Sequence, residues 1–330
     1  MARILVTGAS GFIGSHVVEH LAALGHQVLA SGRDPDRLLH LRGCAQRSSA
    51  DLSVDALEPL TEGCESVVHC AALSSPWGTA ESFSRANVLA TRRLLAASRR
   101  TGVRRFIHLG SPSIYFRFQD QFDIGEAFAP PRRWITEYAR SKWESELCVR
   151  AAAAEGLQAL VLRPRAVFGE RDQAILPRLM AIADRGWFPM IHGGDAVIDV
   201  THVDNLARLI GHSLDADVVA DGRAYNVTNG DPIRVGELVT RLFAALDRHV
   251  RLIPVPRNVA VAIAGIAERI AQLRPRRPEP RLTRYGVGVL GYSQTLDIAR
   301  ARLELGYAPE MSLDQGIERY ARWWTRHAHA

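Results

Sequence analysis

Tyr138-Ala139-Arg140-Ser141-Lys142 places a phenol and an amine four residues apart, on one face of a predicted helix. A free tyrosine titrates near about 10 and is a reluctant acid or base at neutral pH. A nearby ammonium favours the phenolate and lowers that value. A phenol tuned in this way gives a proton to a carbonyl oxygen, or takes one from an alcohol, while a hydride moves. Lys142 is the only lysine among 41 basic residues, the other 40 being arginine. A compact ammonium and a planar guanidinium do different chemistry, so a single lysine in this slot reads as functional. Ser111 and Ser113 follow the predicted strand Arg105–Leu109, at the sheet edge where α/β folds hold ligands. A hydroxyl there steadies charge growing on a carbonyl oxygen, and the residues alone leave both serines in play.

A second pattern supplies a partner for that proton chemistry. Thr7-Gly8-Ala9-Ser10-Gly11-Phe12-Ile13-Gly14 follows the first predicted strand and opens a helix. Gly8 permits the tight turn, Gly11 lets backbone approach a pyrophosphate, and Gly14 allows close helix–strand packing. The helix start offers free N–H groups and the positive end of its dipole to an anion. About 20 residues on, a site for NAD places an acid against the ribose 2′-hydroxyl. Here the second strand ends Ala30-Ser31-Gly32-Arg33, with a guanidinium instead. Arg33, assisted by Arg37, suits a 2′-phosphate, so NADP(H) is expected over NAD(H). Asp51-Leu52, after the third strand, meets either the adenine edge or its own turn as a cap. Ala71-Ala72, after Cys70, ends the fourth strand with residues small enough for a cofactor to lie close. Cys70 itself reads as a small buried apolar group.

Short apolar runs alternating with helical patterns must position these groups. Predicted strands at 3–7, 27–30, 66–70, 105–109 and 159–162 alternate with predicted helices at 12–24, 81–100 and 134–154; Asp34-Pro35 caps a further short helix. Such βαβ units imply an α/β fold with a parallel, doubly wound Rossmann sheet. The second half is less regular, with helices expected at 175–184, 205–214, 235–246, 259–273 and 313–325, a strand at 225–227 and a Pro/Arg loop at 274–284. The expected division is a cofactor domain at 1–168 with about 198–227, and a smaller substrate lobe at about 169–197 and 228–330.

Composition narrows the function classes. The 330 residues are 47% hydrophobic and 23% charged, which is globular. A net charge of +6 spread over that length is no nucleic-acid signature, and no nucleic-acid partner is expected. Four cysteines without metal spacing imply neither a metal site nor a disulfide-built fold, and a cytoplasmic setting is expected. No signal peptide is expected, because Arg3–Thr7 already reads as a strand. The run from Val259 to Ala267 is too short to span a bilayer. Arginines at 269, 274, 276, 277, 281 and 284 adjoin it, so peripheral contact with a membrane surface is one reading and a lid helix beside a solvated basic loop the other. Trp77, Tyr115, Phe116, Phe118, Trp134 and Trp187 are expected at loops or element ends around the cleft, where they would suit an apolar ligand.

Taken together, TGASGFIG at 7–14, the segment from Ser111 to Tyr115, YARSK at 138–142, LRPRAVFG at 162–169 and HVDNLA at 202–207 resemble the extended short-chain dehydrogenases/reductases over nearly the whole chain. The resemblance selects Ser111 over Ser113 and gives Ser111, Tyr138 and Lys142 the family's catalytic roles. It also implies cofactor contacts from Ser10, Phe12, Ile13 and Val167, beside Tyr138 and Lys142 themselves, and a lesser part for Asn87. The segments 281–285, 305–307 and 312–324, with 163–172 and 176–178, resemble the 3β-hydroxysteroid dehydrogenase branch. That branch implies a ketone or secondary alcohol on an apolar substrate, such as a sterol or a long-chain 3-oxo acid, and a homodimer. The alternatives are an NDP-sugar epimerase or dehydratase and a non-catalytic NADP(H)-binding regulator. Ala166 stands where sugar-nucleotide epimerases often carry Asn.

Overall fold

The computed structural model describes residues 1–127, 129–173, 175–275 and 278–327. Its centre is a seven-stranded parallel sheet. In spatial order the strands are Asp221–Val227, Gln158–Pro164, Arg105–Leu109, Ser66–His69, Arg3–Thr7, Gln27–Gly32 and Gln46–Ser49. The order reverses direction at Arg3–Thr7, so a crevice opens at the carboxyl ends of the central strands. Alternate side chains of the first strand serve opposite faces. Ile4 and Val6 join a core with Val17, Leu21 and Leu209, while Leu5 joins Leu29, Leu94 and Phe106 on the other side. Helices therefore cover both faces, as the strand–helix alternation requires.

Register brings the chemistry to one edge. Thr7 pairs with Ser31 and with His69, and His69 with His108. The glycine turn, the 70–75 loop, Ser111 and Arg165 consequently all leave the sheet on the same side. A third core, including Phe168, Met180, Phe188, Val239 and Tyr320, fills the outer lobe.

Several boundaries differ from the sequence reading for physical reasons. The Tyr138 helix spans Glu137–Ala154 rather than starting at Trp134, because the Thr136 hydroxyl accepts the Ala139 N–H at 3.1 Å and caps it. The predicted helix at 81–100 contains a π-helical turn at Ser84–Leu89 before Ala90–Arg100 resumes α geometry. The stretch expected to be loop up to 284 ends where a new helix, Arg284–Gly291, begins behind a Thr283 cap. Asp34 does cap its short helix, accepting the N–H groups of Asp36 and Arg37.

Candidate active site

The turn after the first strand is shaped by contacts that only glycine allows. Gly8 has φ +66°, and a Cβ there would lie 2.6 Å from the Ala71 nitrogen. A Cβ on Gly14 would lie 2.2 Å from the Gly8 carbonyl oxygen. The helix Phe12–Ala23 then starts at Gly11 with no side-chain cap, which leaves its first N–H groups open to an anion. Arg37 reaches over this turn, donating to the Ser10 carbonyl at 3.2 Å, and Arg33 is exposed at the end of the adjacent strand. A bare helix start flanked by two guanidiniums fits a dinucleotide with an additional phosphate. Asp51 is engaged in its own turn: its carboxylate accepts the hydroxyl and N–H of Ser53, which hold it below the usual carboxylate range. Leu52 is buried, Ala71 lies against Gly8, Ala72 is exposed, and Val167 is half-buried in the short strand Val167–Phe168.

Tyr138 does not face bulk water. The hydroxyls of Ser111 and Ser74 lie beside its phenol. Burial raises its pKa above the ordinary value, and those two hydroxyls oppose the rise. This corrects the expectation of a phenol already acidified by its neighbour. The Lys142 amine instead donates to the Leu109 carbonyl at 2.5 Å, at the strand end that leads into Ser111. Burial also pulls Lys142 down to about 8, against the pull of Glu146. At rest, then, Tyr138 is a neutral proton donor. Ser113 is buried, and its N–H donates to the Ser111 oxygen at 3.3 Å.

Asn87, in the π-helical turn, clamps this arrangement. Its carbonyl oxygen accepts the Leu73 N–H at 2.7 Å, and its amide donates to Ser141, whose hydroxyl donates to the Tyr138 carbonyl. The loop carrying Ser74 and the helix carrying Tyr138 are thereby held together. Below them Glu146 and Arg163 form a fully buried ion pair at 2.6 Å, extended by Tyr115 to Asn226. Cys70 has its thiol pushed up to about 12 by burial, which suits an inert group.

Neither Ser74 nor Tyr285 is singled out by the sequence alone, although Tyr285 ends the 281–285 segment that carries part of the resemblance. Tyr285 packs edge-on against Phe116, with ring centroids 5.1 Å apart. Of the expected cleft aromatics, Phe116 and Phe118 join this wall, their rings 5.3 Å apart. Tyr115 is committed to the buried polar network, and Trp187 begins a strand paired with Arg251–Val255 in the outer lobe. Glu279 bridges the rim, accepting from Ser75 and Arg178. No cluster of His, Cys, Asp or Glu among the described residues is arranged to hold a metal.

The profile of the NAD dependent epimerase/dehydratase family matches residues 4–228. The chain is 38% identical to the uncharacterized protein YbjS of Escherichia coli (strain K12), covering 98% of both chains. It is 32% identical to a 2-alkyl-3-oxoalkanoate reductase of Stenotrophomonas maltophilia (strain K279a), over 96% of this chain and 98% of the relative. A solved structure of MoeE5 in complex with UDP-glucuronic acid and NAD superposes with a TM-score of 0.79 at 24% identity, covering 98% of this chain and 99% of that one. That last likeness concerns the fold.

Proposed function

Because the chain belongs to the NAD dependent epimerase/dehydratase family, we propose that it is an NADP(H)-dependent oxidoreductase that interconverts a ketone and a secondary alcohol on an apolar substrate. The observation that carries this reading is the Tyr138 phenol, held neutral by burial with the Ser111 and Ser74 hydroxyls beside it and Tyr285 of the aromatic wall nearby. When bound, the reduced nicotinamide supplies a hydride to the carbonyl carbon. Tyr138 gives its proton to the carbonyl oxygen, and Ser111 donates a hydrogen bond to the same oxygen as charge develops. Lys142 fixes the strand end before Ser111, and its remaining N–H groups would serve the cofactor's ribose hydroxyls. Arg33 and Arg37 hold the 2′-phosphate, and the sheet-bearing part, residues 1–168 with about 198–227, forms the cofactor domain. The relative named 2-alkyl-3-oxoalkanoate reductase supports a 3-oxoalkanoate-like substrate over a nucleotide sugar. NADPH consumption with a long-chain 3-oxo ester, lost in Tyr138→Phe, tests the reading; turnover of UDP-sugars without net cofactor consumption would replace it with an epimerase.

A second observation concerns delivery of such a substrate. On the helix Arg257–Leu273, the residues Val259, Ile263, Ile266, Ile270 and Leu273 are exposed along one face, while Ala260, Ala264 and Ala271 are buried on the other. Arg269, Arg274 and Arg281 are exposed nearby; Arg276 and Arg277 lie outside the described residues. No helix among the described residues is long and apolar enough to cross a membrane. An apolar stripe edged by guanidiniums suits the surface of an anionic bilayer, and this face is our proposed peripheral contact. Co-sedimentation with anionic vesicles, abolished by Ile263→Glu with Ile266→Glu, tests it; no sedimentation of the unaltered protein would dismiss it. The four cysteines are free, which suits the cytoplasmic face of such a membrane. Pairing of two copies through the helices Ala90–Arg100 and Glu137–Ala154 is the proposed dimer, which sedimentation velocity would test.

A further inference from the structure

His69 and His108 stand side by side on neighbouring strands, paired in register, with ring centroids 5.3 Å apart. Both are buried. Burial pushes His69 down to about 3 and His108 well below the ordinary imidazole range, so both rings are neutral. A neutral imidazole carries one N–H, and its partners decide which nitrogen keeps it.

The same hydrogen-bond pattern runs from both rings. The Thr91 hydroxyl donates to the Asn87 carbonyl at 2.6 Å, so toward His69 Nε2, 2.9 Å away, it accepts. The Ser145 hydroxyl donates to the Lys142 carbonyl at 2.7 Å, so it accepts from His108 Nε2 at 3.0 Å. Both histidines therefore carry their proton on Nε2. On the far side, the Thr7 hydroxyl donates to His69 Nδ1 at 2.7 Å, while His108 Nδ1 has no partner. Each ring thus holds a hydroxyl that holds the backbone carbonyl of a site residue. For His69 that residue is Asn87 in the π-helical turn, and for His108 it is Lys142 on the helix Glu137–Ala154.

Lys142 is consequently gripped at both ends by consecutive residues of one strand. Leu109 takes its amine at 2.5 Å, and His108, through Ser145, takes its backbone carbonyl. The flexible four-carbon stem between them means that neither hold alone fixes the amine. The titratable and charged groups around Lys142 are Glu146, one turn on and paired with Arg163; Tyr138, one turn back; Cys70 and His69 from the neighbouring strand and its end; and His108. A charge on either ring would repel the ammonium, and their neutrality lets it sit buried beside them.

We propose that His108 is a positioning residue for Lys142, acting through the Ser145 hydroxyl, and that His69 serves Asn87 in the same way through Thr91. The inference rests on the ketoreductase reading for the use made of Lys142. Without the His108 N–H, the Ser145 hydroxyl turns freely, the helix loosens from the strand, and the amine regains water.

Lys142 is the only lysine, so protein labelled with carbon-13 at lysine Cε gives a single signal that reports one titration by NMR. Its midpoint in the unaltered protein should lie at about 8. His108→Leu should raise that midpoint by about one unit as the amine regains water, and lower kcat/KM for NADPH about tenfold. His108→Gln, which restores an N–H near the Nε2 position, should keep the midpoint at about 8 and recover most of the activity. Ser145→Ala should reproduce the shift, and the double variant with His108→Leu should add nothing to it. His69→Leu should slow the enzyme and leave the midpoint in place, because its hydroxyl leads to Asn87. Circular dichroism checks folding, and Ser145→Ala carries the test if His108→Leu does not fold. An ordinary lysine midpoint in the unaltered protein, or one that stays at about 8 in Ser145→Ala and in folded His108→Leu, overturns the proposal. So does a His108→Gln that behaves like His108→Leu, which would mark the ring as core filling, or a His69→Leu that moves the midpoint equally. The two readings separate cleanly. A shifted midpoint with no ketone reduction by the unaltered protein would uphold the clamp and reject the ketoreductase. Ketone reduction with no shift in any variant would do the reverse.

Discussion

The Ser111 hydroxyl lies beside the Tyr138 phenol and opposes the rise that burial gives its pKa, although one residue leaves a strand end and the other belongs to a helix. Both groups can therefore address one carbonyl oxygen, Tyr138 as acid and Ser111 as hydrogen-bond donor. Tyr138→Phe should lower kcat/KM for ketone reduction about 1,000-fold, and Ser111→Ala about 100-fold. NADPH binding followed by fluorescence should change less than about threefold in either, since neither hydroxyl is needed for the phosphate turn.

The pH profile should report Lys142. Burial disfavours its charged form and lowers its pKa from 10.5 to about 8, so the ammonium persists below that pH and is lost above it. kcat/KM for NADPH should be level through neutral pH and fall as pH rises through about 8. Lys142→Arg, which stays charged, should lack that limb while remaining slow, because a planar guanidinium does not fit the Leu109 carbonyl site. An unaltered limb in Lys142→Arg would assign it to another group.

Cofactor choice should follow Arg33. Replacing it with Asp removes the guanidinium and places a carboxylate beside the ribose. NADPH affinity should fall about 100-fold, with NADH affinity unchanged or improved, in a direct titration of both. Equal losses for the two cofactors would make Arg33 a general support of the loop.

Stability should depend sharply on the buried ion pair. Glu146→Ala strands Arg163, which has no exposed surface, and should cost about 3–5 kcal/mol in urea unfolding. Ala166 makes the opposite case. It holds φ +43°, where a Cβ is strained, and Ala166→Gly should stabilise by about 1 kcal/mol.

Much of this was legible in the residues because the signals are local. The glycine turn lies at a strand–helix junction, Asp34-Pro35 is a cap, and the Tyr138/Lys142 pair needs only helical spacing. What was not legible depends on distant partners. The wall of Phe116 and Tyr285 is built from residues far apart in the chain, and Ser74 acquires its place only when Asn87 ties the Leu73 backbone to Ser141. The expectation of an acidified tyrosine failed for a related reason: helical spacing sets neither the burial of the phenol nor the strand-end carbonyl that captures the amine. The short strands Gln121–Ile124 and Gln294–Leu296 pair with each other across about half of the chain and show no periodicity of their own.

The most direct measurement follows NADPH absorbance during mixing with methyl 3-oxododecanoate, for the unaltered protein and for Tyr138→Phe. One NADPH should be consumed for each secondary alcohol formed, and the variant should be nearly silent while still binding cofactor. Undiminished turnover in Tyr138→Phe would contradict the assignment of the proton donor. Cofactor left unconsumed while UDP-glucose is converted would contradict the reaction itself.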